Sequence, residues 1–294
     1  VVAGKLRARD GTDGDVGDAA PPLRTTISSR SPHSSPHLRT SPPGRGAIRK
    51  LARSAVNYRW WRARSMTTYV LIHAAAVDSW YWGPLAAELR DRGHEVVAPD
   101  LPCDDESAGL AEYTDTVVEA ISERTGLIVV AHSFGGFTGP LVCDRVPVDL
   151  LVMLQAQIPV PGESPGQWWD NTGYGPARQQ ADRRRGVAEG TDEGALSLVL
   201  HDTPADLAAE FMAEHQRTQA PAPFGKPWPL DTWPKVPTRF LMSSDDRFFP
   251  PEFMRRTVIE RLGFQPDEMP GDHCPMLGHP KELADRLEAY RAAL

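Results

Sequence analysis

Residues 127–136 read Leu-Ile-Val-Val-Ala-His-Ser-Phe-Gly-Gly and constrain the fold of this chain more than any other stretch. Four apolar, mostly β-branched residues predict a short buried strand. A small residue, a histidine, a serine, a large apolar residue and two glycines follow, and residues 137–142 then read as the first turns of a helix. A strand, a one-residue corner at Ser133 and a helix form the context of a nucleophile elbow. The corner residue takes a strained backbone conformation, so its neighbours two before and two after must be small. Ala131 and Gly135 meet that condition. Such a corner lifts the serine hydroxyl clear of the sheet and aims a helix N-terminus at it, where backbone N–H groups can stabilise a developing oxyanion.

The rest of the chain divides by charge. Of the 294 residues, 1–65 carry 13 Lys+Arg and 4 Asp+Glu, whereas the remainder carries 19 and 35. The acidic body argues against a nucleic-acid-binding surface. Residues 1–65 are rich in Arg, Ser, Pro and Gly, with Ser-Pro pairs at 31–32, 35–36 and 41–42. They lack apolar periodicity and are expected to be disordered. A secretory signal fails for want of an apolar core. A transit peptide fits the Arg/Ser bias but not the aspartates at 10, 13, 15 and 18. A basic nucleic-acid-binding tail is a weaker reading. The favoured expectation is that translation starts at Met66, two residues before the first strand. No run of about 18 apolar residues predicts a membrane span. Three scattered cysteines, Cys103, Cys143 and Cys274, fit neither a disulfide framework nor a zinc site, so a reduced, cytoplasmic protein is expected.

From Met66 onward, strands and helices alternate. Residues 69–73, 94–100, 127–130, 149–154 and 238–242 read as strands, with a weaker one near 264–269. Trp82, Leu85 and Leu89 share a helix face, as do Leu110, Tyr113, Val117 and Ile121. Another helix is expected near 251–262, and Leu283, Leu287, Tyr290 and Leu294 mark a last amphipathic one. Strands apolar on both faces predict an α/β fold: a mostly parallel sheet flanked by helices on both faces, with its site at the carboxyl ends of the strands. The core is expected over 66–156 and 236–294. Residues 157–235 break the alternation with Pro159, Pro161, Pro165 and five large aromatics, Trp168, Trp169, Tyr174, Trp228 and Trp233. A long aromatic insertion between two sheet strands reads as a cap over the site. Trp168, Trp169 and Trp228 are its candidate substrate-binding residues.

With these features together, residues 68–294 resemble an α/β-hydrolase. They are most similar to the small-ester branch that contains plant methylesterases and hydroxynitrile lyases. The resemblance is carried by His73-Ala74 with Trp80 and Trp82 after the first strand, the elbow at 131–136, Asp246 after a later strand, and Gly271-Asp272-His273 near the end. It implies Ser133 as nucleophile, His273 as base and Asp246 as the acid that orients the imidazole. His279, beside Pro280, is the competitor for the base and reads as a surface residue. Asp245 competes for the acid, but in similar sequences the acid stands four residues before a proline, as Asp246 does before Pro250. His132 and His73 are expected to be structural. The implied oxyanion donors are the backbone N–H groups of Phe134 and Ala75. Relatives usually carry His-Gly where this chain has His73-Ala74, and Gly where it has Ala131.

The implied activity is cleavage of a small-to-medium ester through an acyl-enzyme, without metal or organic cofactor. The elbow serine disfavours dehalogenase and epoxide hydrolase chemistry, which uses an aspartate there. A hydroxynitrile lyase on the same side chains, and an idle small-ligand-binding protein of the same fold, remain alternatives. The sequence names neither the substrate nor the oligomeric state.

Overall fold

The computed structural model describes residues 66–191 and 193–294. The expectations for 1–65 lie outside the described residues. Six strands form one sheet in the order β2-β1-β3-β4-β5-β6. They are β1 Thr68–Ile72, β2 Glu95–Val97, β3 Leu127–His132, β4 Leu150–Leu154, β5 Thr238–Ser243 and β6 Asp267–Met269. Every adjacent pair is parallel. Parallel strands need crossovers, and helices supply them: α1 Gly83–Asp91, α2 Leu110–Ile121, α3 Gly139–Arg145 and α9 Pro251–Leu262, with α10 Pro275–Gly278 and α11 Pro280–Ala292 closing the chain.

Alternation along the strands sorts the core into two layers. Val70, Ile72, Val129, Ala131, Leu151 and Met153 face α2, α3 and α9, packing on Tyr113, Val117, Val142, Phe253 and Val258. Tyr69, Leu71, Ile128, Val130, Leu150 and Val152 face α1 and α11, packing on Leu85, Leu89, Leu283 and Leu287. Residues of β1, β3 and β4 are buried along their whole length, as strands covered on both faces must be. Each such aliphatic side chain contributes roughly 1.5–3 kcal/mol by leaving water.

Most strand ends shift by a residue or more from the sequence reading, and three differences have a physical reason. β2 covers three residues rather than 94–100, because this half-buried edge strand pairs only with Thr68, Tyr69 and Val70. Pro99 beyond it has no N–H to continue a ladder. The segment after the elbow first makes a 3-10 turn, Ser133–Gly136, and α3 begins at Gly139 with Pro140 in its first turn. Leu294 lies past the end of α11 and is 44% exposed, so it does not join the buried face of Leu283 and Leu287.

Between β4 and β5 the described residues carry five helices: α4 Pro165–Asn171, α5 Tyr174–Arg185, α6 Gly194–Leu198, α7 Ala205–Glu214 and α8 Ala222–Gly225. No helix among the described residues is long and apolar enough to cross a membrane.

Candidate active site

The strand order reverses at β1: the chain runs from β1 outward to β2, then returns to the other side of β1 as β3. The loops leaving β1 and β3 therefore diverge, and the crevice between them at the carboxyl ends is where an open parallel sheet offers a site. Both the stretch 73–80 and the elbow lie there.

Ser133 holds φ +50°, a left-handed conformation that costs a non-glycine residue about 1–3 kcal/mol. Packing around the corner compensates. A side chain at Gly135 would come within 2.9 Å of the carbonyl oxygens of Ile72 and His73, and one at Gly136 within 2.0 Å of the Gln157 carbonyl oxygen. The Ala131 methyl sits against Gly139, where a Cβ would approach it to 2.7 Å. The Gln157 N–H donates to the Ser133 carbonyl at 3.0 Å and ties the corner to the chain leaving β4.

The structure brings Ser133, His273 and Asp246 into one buried line. His273 Nε2 lies 3.1 Å from Ser133 Oγ, and Nδ1 lies 2.8 Å from Asp246 Oδ2. The other carboxylate oxygen of Asp246 accepts the N–H groups of Phe248 and Phe249 at 2.7 and 2.9 Å. Those two rings flank the imidazole, with centroids 4.9 and 5.2 Å from it. Asp245 points away, exposed, and accepts from the Ser244 hydroxyl. His279 is not part of the line; its Nε2 pairs with Asp202 at 2.7 Å.

The Ala75 amide has no acceptor among the described residues, although the amides on either side of it do. Ala74 N–H donates to Tyr81 Oη at 2.8 Å, and Ala76 N–H to Gln219 Oε1 at 3.1 Å. Arg217 N–H donates to the Ala76 carbonyl at 2.9 Å. His73 braces the same loop: Nε2 accepts Leu101 N–H at 2.8 Å, which leaves Nδ1–H to donate to the Ala74 carbonyl at 2.7 Å. Burial pushes the His73 pKa down, in keeping with a neutral ring that accepts at one nitrogen.

The 157–235 insertion touches both flanks of this site. Gln216 bridges antiparallel to Val77, and Phe224 of α8 stacks on Phe134 with centroids 4.6 Å apart. On the other flank, the buried Asp272 carboxylate accepts Asp202 N–H at 2.9 Å, the Thr203 hydroxyl at 3.1 Å and its own loop's Cys274 N–H at 2.8 Å. Burial pushes the pKa of Asp272 up, and these three donors oppose that shift.

The candidate substrate-binding tryptophans separate. Trp168 is 0% exposed; its indole N–H donates to the Ile158 carbonyl, and its ring packs on Phe249 and Phe253. Trp228 is 2% exposed, with its N–H on the Phe137 carbonyl. Both are buried, and these contacts hold the insertion to the core. Their N–H groups found backbone acceptors, which sequence spacing does not reveal. Trp169 is half-buried and meets Tyr174, Phe248 and Phe249, one ring removed from His273. Sequence reasoning missed Tyr81, Arg217 and Gln219, whose partners are distant in the chain. The one available signal was the position of Tyr81 between Trp80 and Trp82.

Residues 69–286 match the alpha/beta hydrolase family. The chain belongs to that family. This alpha/beta hydrolase is 27% identical over 248 residues to a rice (Oryza sativa subsp. indica) protein named probable esterase PIR7A, covering 74% of this chain and 94% of that one. It is 24% identical over 258 residues to methylesterase 7 of Arabidopsis thaliana, covering 74% and 94%. The crystal structure of polyneuridine aldehyde esterase matches it with a TM-score of 0.61 at 19% identity, over 77% of this chain and 99% of that chain. That of the pyrethroid hydrolase PytH matches with a TM-score of 0.62 at 22% identity, over 78% and 98%. These structural likenesses carry the fold of the hydrolase.

Proposed function

We propose that the protein is a serine hydrolase that cleaves a small-to-medium carboxylic ester through an acyl-enzyme. The carrying observation is the pair of contacts on one imidazole, 3.1 Å to Ser133 Oγ and 2.8 Å to Asp246 Oδ2. The esterase names of relatives matched over most of their length support the substrate class.

In this reading His273 Nε2 takes the Ser133 proton as Oγ attacks the ester carbonyl carbon. Asp246 keeps the remaining proton on Nδ1 and stabilises the imidazolium. The tetrahedral oxyanion accepts from the Phe134 and Ala75 amides. Each missing donor of this kind costs on the order of 10²-fold in rate. The C–O bond breaks, the alcohol leaves with the proton from His273, and water activated by the same nitrogen releases the acid. The ring assembly of Trp169, Tyr174, Phe248 and Phe249 shields the imidazole from bulk water. This chemistry draws on side chains and amides alone, and its partner is a small-molecule ester.

Turnover of short-chain p-nitrophenyl esters by the full chain tests the proposal. The wild type should hydrolyse them and Ser133→Ala should lose turnover by at least about 10³-fold. Equal rates in the two proteins would remove Ser133 from the mechanism. Cyanide release from a cyanohydrin without ester cleavage would replace the esterase reading with the lyase one. Ligand binding without turnover of either substrate would replace it with the idle binder.

A further inference from the structure

A continuous buried line of hydrogen bonds joins the loop after β1 to the loop that carries His273. Ala74 N–H meets Tyr81 Oη at 2.8 Å, Tyr81 Oη meets His132 Nδ1 at 3.0 Å, and His132 Nε2 meets the His273 carbonyl oxygen at 2.8 Å. Chemistry fixes the direction of every bond. The His273 carbonyl can only accept, so His132 Nε2 carries a proton. The Ala74 amide can only donate, so the Tyr81 oxygen accepts there and turns its own proton to His132 Nδ1. The three bonds then run one way and polarise one another in a buried site.

The surroundings hold this arrangement. Tyr81 is 1% exposed and His132 0%. Rings of Tyr81, Trp82 and His273 enclose the His132 imidazole at centroid distances of 5.7, 6.0 and 4.8 Å. Burial, and then the neighbouring His273, push the His132 pKa well down, so the ring stays neutral and keeps an acceptor at Nδ1. At the far end, Ala76 takes φ +62° and is held by Gln219 and Arg217 on its other side. The Ala75 amide is thus suspended between two anchored neighbours. Alanine at 74 has less backbone freedom than glycine would to find that orientation unaided.

We propose that His132 is a positioning residue: through Tyr81 and through the His273 carbonyl, it holds the Ala75 amide and the His273 imidazole in register around Ser133. The inference rests on the ester-hydrolase reading and adds to it a residue that touches neither substrate nor reacting atom. The competing account is a histidine that merely fills and satisfies the core. That account predicts loss of stability without a selective loss of the chemical step.

The experiment measures kcat, KM and thermal unfolding for ester hydrolysis by the full chain with His132→Leu, His132→Gln, Tyr81→Phe and the double variant Tyr81→Phe/His132→Leu. In His132→Leu, kcat should fall about 10- to 10²-fold with KM within about threefold, because misplaced groups weaken the transition state more than the ground state. His132→Gln, whose side-chain N–H can still reach the His273 carbonyl, should recover most of that loss. Tyr81→Phe should lower kcat about tenfold, and the double variant should be no slower than His132→Leu, since both changes cut one line. Should His132→Leu fail to fold, Tyr81→Phe removes a single oxygen and decides through the same kcat and KM. Unchanged kcat in the folded variants, or fully additive losses, would overturn the relay while leaving the esterase reading intact. A wild type inert towards esters would overturn that reading instead.

Discussion

At the scale of single residues, adjacent aspartates with different surroundings are the sharpest test of the site. Asp246 is 2% exposed and spends one oxygen on two backbone amides and the other on His273. Asp245 faces solvent. In Asp246→Asn the side-chain carbonyl can keep the Phe248 and Phe249 amides, so the loop should survive. Its NH₂ group would then face His273 Nδ1 and force that nitrogen to accept. The proton moves to Nε2, which can no longer take one from Ser133, and kcat should fall about 10⁴-fold. Asp245→Asn should stay within about threefold. Equal effects of the two changes in ester turnover would show that Asp246 does not govern the tautomer. The order of Ser133, Asp246 and His273 was legible from the sequence because each falls just past a strand or before the last helix. The hold of the Phe248 and Phe249 amides on Asp246 was not, since those donors belong to a turn whose shape is set only in the folded chain.

At the scale of elements, the last helix is fastened to the first strand through one carboxylate. Glu288 of α11 accepts the Tyr69 hydroxyl of β1 at 2.7 Å, pairs with Arg291 at 2.8 Å and lies 3.0 Å from His94. Burial alone would raise its pKa, but hydrogen bonds from Arg291 and Tyr69 and the nearby His94 outweigh burial and hold it at about 2 rather than 4.5. A depressed folded-state pKa stabilises the fold above the unfolded value and loses that contribution as pH falls through the folded one. Wild type should therefore exceed Glu288→Gln in urea midpoint at pH 7, and the gap should close between about pH 4.5 and 2. Solvent access makes the gap modest. A gap independent of pH would mean that the carboxylate contributes through shape alone. The apolar runs of β1, β3 and β4 announced their burial in the sequence, as did the helical spacing of Leu283 and Leu287. The truncation of β2 and the loss of Leu294 from its expected face were not readable, because an edge strand and the end of a helix depend on what lies beside them.

At the scale of the whole described body, residues 66–191 and 193–294, the insertion between β4 and β5 is fastened unevenly. Leu200, Ala208, Phe211 and Ala220 are buried, the 215–217 segment pairs with the loop after β1, and Asp202 and Thr203 bind the buried Asp272. By contrast, α5 and α6 bury no residue fully. Beyond Tyr174, whose hydroxyl reaches the Phe248 carbonyl at 3.0 Å, α5 is tied mainly through charge: Arg178 to Asp182 and Glu193 at 2.8 Å each, and Arg185 to the same two carboxylates. Those pairs are partly shielded and lie within the insertion, while the pair that joins α5 to α9, Arg184 with Glu252, is exposed; exposed pairs contribute about 0–1 kcal/mol each and weaken in salt. Local opening should follow that division. In hydrogen exchange, amides of residues 180–185 and 195–198 should exchange at least about tenfold faster than those of residues 208–211 and of Arg217, and faster still in 0.5 M sodium chloride, roughly at the ionic strength where exposed pairs are screened. Such a pattern would make α5 and α6 the part of the insertion that opens, while the segments bracing Ala75 and His273 stay closed with the core. Uniform protection across the insertion, unmoved by salt, would mean instead that the whole insertion opens as one unit and that the amide of Ala75 is released each time it does.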